Sequence, residues 1–299
     1  MTATARKLQA AHKQLTPINE AALNAALRRN VKREARRLGA NLIGFAPVSR
    51  WAEYDEVPLS YRPNEIWKPA RTVIVMAVPM LLPIVESGPS INYQEHYNTT
   101  NDMLDQMAYR LSVYLNERGH ASIPMPRDGY ANLDVLLKKM AACFSHVYAA
   151  KYAGLGTIGL SHNLLSPEYG PRARYVSVIT AAELKGDPVH DHDLCSACGF
   201  CARLCPSKAL KPRKDRIAAD FDAVACTLHH KQLVAESRFP CGICIKVCPV
   251  GEDRKLYGRP RVADYLREQK ALAKDPSHPD YKHLVHLRSH GSEPEEPKG

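Results

Sequence analysis

The chain has 299 residues, 45% hydrophobic and 24% charged, with a formal charge of +10. This composition is that of a globular protein and leaves room for one large core and a smaller module. The longest apolar run, residues 73–84, is broken by Pro79 and Pro83 and is shorter than the roughly 20 residues of a membrane-spanning helix, so it predicts a buried strand. No apolar signal segment is visible in residues 1–15, which predicts a cytoplasmic protein without a membrane partner.

The first predicted elements follow from hydrophobic spacing. Apolar residues at three- and four-residue steps predict a helix over residues 19–38. Short strands are expected at residues 41–47 and, as the central strand of a sheet, at 71–79. Thr100 is placed to cap a helix that runs through Glu117.

The next elements continue the alternation of helices and strands. We expect a strand at residues 121–125, helix over 133–152 in one or two pieces around Cys143, and a strand at 174–180. Such alternation predicts an α/β (α+β) domain.

The chain therefore divides into three parts. We expect the α/β domain to take residues 1–185 and a cysteine module to take 186–255. Residues 256–299 should form a helix, at 262–273, and a tail that packs on the body.

Eight of the nine cysteines follow the spacing of a two-cluster bacterial ferredoxin. They form C-x2-C-x2-C-x3-C-P, then a lone cysteine, then C-x2-C-x3-C-P. In such ferredoxins the last cysteine of a run binds the other cluster, which predicts two 4Fe–4S clusters with crossed ligands. The first cluster is assigned Cys195, Cys198, Cys201 and Cys248, and the second Cys205, Cys226, Cys241 and Cys244. Disulfides and zinc are the alternatives; the reducing compartment disfavours disulfides, and zinc leaves Pro206 and Pro249 without a role.

The positive charge has three interpretations that the sequence leaves open. Basic residues within and after the first cysteine run can offset the negative charge of the clusters, dock an acidic electron donor, or form an ordinary solvated surface: Arg203, Lys208, Lys211, Arg213, Lys214 and Arg216. Charge alone does not identify a nucleic-acid-binding protein.

A glycine-rich turn lies ahead of the cysteine module, at Gly154, Gly156 and Gly159. A dinucleotide-binding turn follows a strand and opens a helix, whereas this one follows a helix-like segment and has no acidic partner downstream. A Rossmann-type site is therefore disfavoured.

Several motifs together resemble the epoxyqueuosine reductase and reductive dehalogenase superfamily. They are Ala-Gly-Leu-Gly at 153–156, Asn-Leu-Leu at 163–165, Glu-Tyr-Gly at 168–170 and the double-cluster module, and the resemblance spans about residues 30–255. It implies a nitroreductase-like domain that holds a cobalamin, which the two clusters reduce. The cofactor-binding residues implied are Tyr152, Ala153, Gly154, Leu155, Gly156, Gly159, Ser161 and Asn163.

The sequence also departs from the family. Where the queuosine enzymes carry an aspartate in an Asp-Ser-Ala-Pro segment, this chain has Lys-Met-Ala-Ala at 139–142. We expect neither a helical-repeat domain that would hold tRNA nor a twin-arginine export signal. We therefore expect a divergent member that acts on a small molecule, with tRNA as a less favoured partner.

In place of that aspartate, the candidate proton donors are His146, then Asp128 and Tyr130, with Tyr152 also considered. Arg172 and Arg174 either anchor a carboxylate or flank a strand, and Cys143 is either a nucleophile or a buried helix thiol.

The predicted function is a cobalamin-dependent reductase that receives electrons from an external ferredoxin or flavodoxin. The alternative is a non-catalytic electron-transfer or cofactor-handling protein whose α/β domain docks a partner.

Overall fold

The computed structural model describes residues 17–258 and 261–289. Its centre is a four-stranded sheet in which every neighbouring pair is antiparallel, with the strands in the order Leu42–Pro47, Thr72–Pro79, Ala173–Thr180 and Ser122–Pro124. The helices are α1 Pro17–Arg37, α2 Arg50–Tyr54, α3 Pro63–Ile66, α4 Leu82–Ser87, α5 Ile91–Asn116, α6 Leu133–Lys138, α7 His146–Tyr152, α8 Phe200–Arg203, α9 Ala223–Ala235, α10 Ile243–Lys246, α11 Asp253–Leu256, α12 Ala263–Lys274 and α13 Lys282–Arg288. The strands are β1 Leu42–Pro47, β2 Thr72–Pro79, β3 Ser122–Pro124, β4 Thr157–Ile158, β5 Leu164–Leu165, β6 Ala173–Thr180, β7 Leu210–Lys211 and β8 Asp220–Phe221. The predicted combination of helices and strands is confirmed.

The central strand β2 is buried on both faces, as its continuous apolar sequence predicts. Ile74 and Met76 point to the core shared with α1 and α5. Val73 and Val75 point to the opposite core, which α7 covers. The sheet therefore lies between two helical layers.

The long helix α5 begins earlier than predicted. Its N-cap is Ser90, whose hydroxyl accepts a hydrogen bond from the Tyr93 amide at 3.2 Å. Thr100 lies inside the helix, buried, and donates to the Tyr97 carbonyl at 2.9 Å, so its predicted capping role is wrong. Tyr93 and Tyr97, in the polar first turns of the helix, are buried in a small apolar cluster with Met80. This tertiary packing stabilises the start of the helix, and the local hydrophobic spacing does not reveal it.

Residues 133–152 form two helices, α6 and α7, and the segment between them is not helical. Cys143 lies in that segment and is exposed, so the interpretation as a buried helix thiol is wrong. Burial of part of its surface raises the pKa of the Cys143 thiol, which disfavours the reactive thiolate.

The C-terminal helices lie against the rest of the chain. In α12, the Tyr265 hydroxyl donates to the Glu86 carboxylate at 2.7 Å, and Glu268 accepts from buried Lys246 at 2.8 Å. Arg288 of α13 also donates to Glu268, at 3.1 Å. Residues 290–299 of the predicted tail lie outside the described residues. None of the described helices is both long enough and apolar enough to cross a membrane.

Candidate functional site

The structure brings the eight cysteines together in two groups, and these are the two crossed sets. Cys195, Cys198, Cys201 and Cys248 surround one small space, here called the group-one site. Cys205, Cys226, Cys241 and Cys244, the group-two site, line a cavity of about 430 Å³. All eight are free thiols. Across the described residues, no three His, Cys, Asp or Glu side chains converge as the ligands of a single metal ion.

Both cysteine runs fold the same way because they share a pattern that spacing alone did not reveal. Each reads C-G-x-C-x3-C-P. Gly199 and Gly242 have φ of 74° and 68°, and each precedes a four-residue helix, α8 or α10. Glycine adopts this left-handed conformation without the steric cost of a side chain. In each pattern the first two cysteines thus border one group, while the cysteine before proline, Cys205 or Cys248, borders the other.

The cysteine environment favours neutral thiols unless iron is bound. Burial, followed by the charges of other cysteines, raises the pKa of Cys201 and of Cys241 to about 12. Cys201 of group one and Ile243, the neighbour of Cys244 of group two, pack against the same apolar cluster, so the two sites adjoin. Thiolates in this setting require the positive charge that iron supplies.

Two fully buried arginines hold the loop that carries Cys248. Arg172 donates to the carbonyls of Cys248, at 3.1 Å, and Val250, at 2.6 Å, and forms a two-pronged ion pair with Asp253 at 2.6 and 2.7 Å. Arg254 also donates to the Cys248 carbonyl. Arg172, one of the two arginines considered as carboxylate anchors, therefore binds the protein's own backbone and Asp253.

Arg174 faces a different environment, the cavity of group two. Its guanidinium bonds Asp128 at 2.8 Å and lies 4.2 Å from the centre of the Tyr97 ring. Its Nε is buried and lacks a hydrogen-bond partner among the described residues. Burial raises the pKa of the Tyr130 phenol well above its ordinary value, with smaller contributions from Tyr97 and Asp128. Tyr130 therefore keeps its proton over the physiological range.

Arg174, Asp128 and Tyr130 line the wall between two adjoining cavities. One is the 430 Å³ cavity of group two, and the other has a volume of about 570 Å³. Met140, Ala141 and Ala142, from the segment 139–142 that departs from the Asp-Ser-Ala-Pro pattern, also line the second cavity. The predicted candidates Asp128 and Tyr130 thus line this cavity together, and the segment 140–142 adds no acidic side chain to it.

His146 also lines the second cavity, but both of its ring nitrogens are engaged. Nδ1 lies 2.9 Å from the Ser177 hydroxyl and Nε2 lies 3.0 Å from the Pro126 carbonyl. Burial lowers the pKa of His146 to about 4, so the ring is neutral near pH 7. These contacts are those of a structural bridge, and they do not favour the predicted role of a protonated acid.

The implied cofactor-binding residues fall into two places. Tyr152 and Ala153 are fully buried, and Leu155 packs in the same core as Ala153. At Gly154 and Gly156, a Cβ atom would lie 2.0 Å from the Pro188 carbonyl oxygen and 1.9 Å from that of Leu165. Those glycines let the backbone pack closely against other parts of the chain. The resemblance implied instead that their backbone lies against a cofactor.

The remaining three residues lie near the cysteines, on or beside the hairpin of β4 and β5. Gly159 borders the group-one site, and Ser161 borders both sites. Asn163 lines both cavities and donates to Ser161 Oγ at 3.0 Å and to the Cys244 sulfur at 3.5 Å. Hydrogen bonds to cluster sulfurs influence reduction potential, so Asn163 links the cavities to the second cluster.

A family model described as a 4Fe-4S dicluster domain matches residues 194–252. The predicted two-cluster module is therefore confirmed. An epoxyqueuosine reductase from Synechocystis sp. is 36% identical over 242 residues, covering 69% of this chain and 78% of that protein. A tetrachloroethene reductive dehalogenase from Desulfitobacterium hafniense is 23% identical over 272 residues, covering 73% of this chain. The chain spans about half the length of that relative, 47%.

Solved structures share the fold. The epoxyqueuosine reductase of Streptococcus thermophilus has a TM-score of 0.52 at 20% identity, over 74% of this chain and 65% of that one. A reductive dehalogenase, from a study of B12-dependent dehalogenation, has a TM-score of 0.58 at 18% identity, over 80% of this chain and 36% of that one.

Proposed function

Since the chain belongs to the superfamily of epoxyqueuosine reductases and reductive dehalogenases, as a divergent member, we propose that it is an iron–sulfur oxidoreductase that reduces a small organic substrate with the help of a bound cobalamin. One observation carries the proposal: the group-two cysteines and the Asp128, Tyr130 and Arg174 side chains line the same cavity. A reductive reaction needs both an electron source and polar groups that handle protons and charge.

The two adjoining cavities fit a corrinoid better than either does alone. Each volume, 430 and 570 Å³, lies in the roughly 300–1,000 Å³ range of a pocket for one drug-sized ligand. A corrinoid is larger than such a ligand and would occupy the 570 Å³ cavity together with the part of the 430 Å³ cavity that the second cluster leaves free. The buried Nε of Arg174 and Nε2 of His229 lack partners among the described residues, and both residues line the group-two cavity. A ligand with many amide and phosphate oxygens offers acceptors for such donors.

The residues that would hold the cofactor are Ser161 and Asn163, beside the clusters, and Arg174, on the shared wall. Bound there, a cobalamin supplies a cobalt centre that takes up single electrons and makes them available to the substrate. Tyr152 to Gly156 shape the domain beneath the site and would support the cofactor only indirectly.

Tyr130 is the residue we propose as proton donor. Reduction of a carbon–heteroatom bond consumes two electrons and one proton: the C–X bond breaks, a C–H bond forms, and X leaves as an anion. The phenol of Tyr130 is protonated and lines both cavities, whereas His146 is neutral and already bonded. Arg174 can stabilise the departing anion through the positive charge of its guanidinium, which Asp128 holds in place.

The direction of electron flow follows from exposure. Cys198 of group one is exposed, while group two borders the cavity. We therefore propose that an external ferredoxin or flavodoxin reduces the first cluster, and that the second cluster passes electrons on to the cavity.

The test is turnover of Tyr130→Phe with halogenated phenols and with epoxyqueuosine as substrates. Removing a positioned acid should lower the rate about 10²- to 10⁴-fold while iron content and cobalamin binding stay unchanged. Tyr109→Phe, at a surface position on α5, is the matched control and should keep full activity. Equal turnover of the Tyr130 variant and wild type would remove Tyr130 from the mechanism. If the wild type binds no cobalamin, the alternative of an electron-transfer protein is favoured.

A further inference from the structure

A basic patch lies beside the first cluster. It consists of Arg203, Lys208, Lys211, Lys214, Arg213 and Arg216, all exposed. Arg213 and Arg216 form ion pairs with Asp215 and Asp220. The other four cations have no acidic partner within residues 17–258 and 261–289.

The fold brings this patch to the part of the molecule where the first cluster comes closest to solvent. The β7–β8 hairpin carries most of the patch, and its Leu210 and Ala219 are buried against Cys195 and Cys201. The neighbouring loop, residues 196–198, is exposed and ends in Cys198. A protein that docks on the patch would therefore lie next to the first cluster.

Compensation of cluster charge does not account for these cations. That role falls to Arg172 and Arg254, which are 0% and 1% exposed and bond the carbonyl of a group-one cysteine, Cys248. A buried charge acts through low dielectric, whereas exposed lysines are screened by water and salt. Exposed, unpaired cations act more effectively on a charged molecule arriving from solution.

We propose that the basic patch is the docking surface for a small acidic one-electron carrier protein of the flavodoxin type. The inference rests on the proposed function, since it names the source of electrons for the same clusters. The carrier's flavin hydroquinone gives one electron to the first cluster. The flavin becomes the semiquinone, and the charge of the cluster becomes more negative by one unit. Complementary charge raises the rate of encounter more than the final affinity.

The test compares two triple charge reversals in the reconstituted protein. Lys208→Glu/Lys211→Glu/Lys214→Glu changes the patch, and Arg29→Glu/Lys32→Glu/Arg36→Glu makes the same change in net charge on exposed positions of α1. Stopped-flow absorbance follows cluster bleaching by reduced flavodoxin, with neither cobalamin nor substrate present. Failure of the proposed catalysis would leave this readout intact.

At low ionic strength the patch variant should accept electrons from flavodoxin at least 10-fold more slowly, within the 10- to 10³-fold range of electrostatic steering. The α1 variant should stay within about 2-fold of wild type. Reduced methyl viologen, a small cation, should reduce both variants at least as fast as wild type, which shows that the clusters are intact. In wild type, the rate with flavodoxin should fall steeply as salt is added.

Equal loss in both variants, or a wild-type rate that salt does not affect, would overturn the docking surface. So would unchanged flavodoxin kinetics in the patch variant accompanied by weaker binding of a tRNA stem-loop, because the patch would then serve a nucleic acid. If the patch variant loses iron, its slow reduction has no bearing on docking. The salt dependence of the wild-type rate then decides whether flavodoxin docks on the patch.

Discussion

Replacing Arg172 by Met should remove the first cluster and leave the second. The Arg172 guanidinium is fully buried and makes five hydrogen bonds, two of them to Asp253 and three to the carbonyls of Ile245, Cys248 and Val250. Methionine fills much of the volume of the arginine side chain but donates none of these five hydrogen bonds. The Asp253 carboxylate, 9% exposed, would be left as a buried charge without its partner.

Breaking a buried ion pair by removing one partner costs about 3–5 kcal/mol. That is a large share of the roughly 5–15 kcal/mol by which proteins are stable, and it falls on the loop that holds Cys248. We expect iron to fall from about eight to about four per chain, with loss of one of two cluster signals in paramagnetic resonance, and the melting temperature to drop on the order of 10 °C.

Two further variants give this prediction its controls. Arg172→Met/Asp253→Leu should recover much of the stability, because the orphaned carboxylate is the larger part of the cost. Arg174→Met, two residues along the chain but facing the cavity, should keep both clusters. Full iron content in Arg172→Met would refute the reasoning.

Three more predictions follow from the site. Cys248→Ser should damage the first cluster and Cys205→Ser the second, although each lies in the other run; paramagnetic resonance that shows damage only to the sequence-local cluster would refute the crossed assignment. Because the pKa of His146 is lowered to about 4, against 6.5 in the unfolded chain, its contribution to stability is present above about pH 6.5 and is lost as pH falls towards 4. Melting of His146→Gln should therefore depend less on pH across that window than wild type, and an equal dependence would contradict the assignment. Gly156→Ala should lower the yield of folded protein with or without cobalamin, since its Cβ would lie 1.9 Å from the Leu165 carbonyl oxygen; a folded variant that merely binds cobalamin weakly would restore the cofactor role.

The sequence predicted well what depends on local patterns. The apolar run of β2 indicated a central strand because such runs occur where both faces of a sheet are covered. The cysteine groups followed from spacing because cluster geometry limits how a short turn can supply ligands. The start of α5 was missed because burial of Tyr93 and Tyr97 is a tertiary contact.

The polar part of the site could be predicted only in outline. Arg172 and Arg174 look alike in sequence, yet one binds the Cys248 loop and the other faces the cavity. His146 was favoured because histidine ordinarily titrates near neutrality, but desolvation lowers its pKa. The sequence predicted that Gly154 and Gly156 contact a cofactor, whereas the atoms nearest to them belong to Pro188 and Leu165. Such distinctions depend on neighbours distant in sequence.

Titration of the reconstituted, anaerobic chain with cobalamin, followed by difference absorbance, tests whether the clusters serve a bound cobalamin. We predict saturation at one cobalamin per chain in protein that carries about eight irons. Asn163→Leu should weaken binding, and Asn30→Leu, a substitution on α1 away from the cavities, should not. Protein with both clusters intact that shows no saturable spectral change would mean that the clusters do not serve a cobalamin in these cavities.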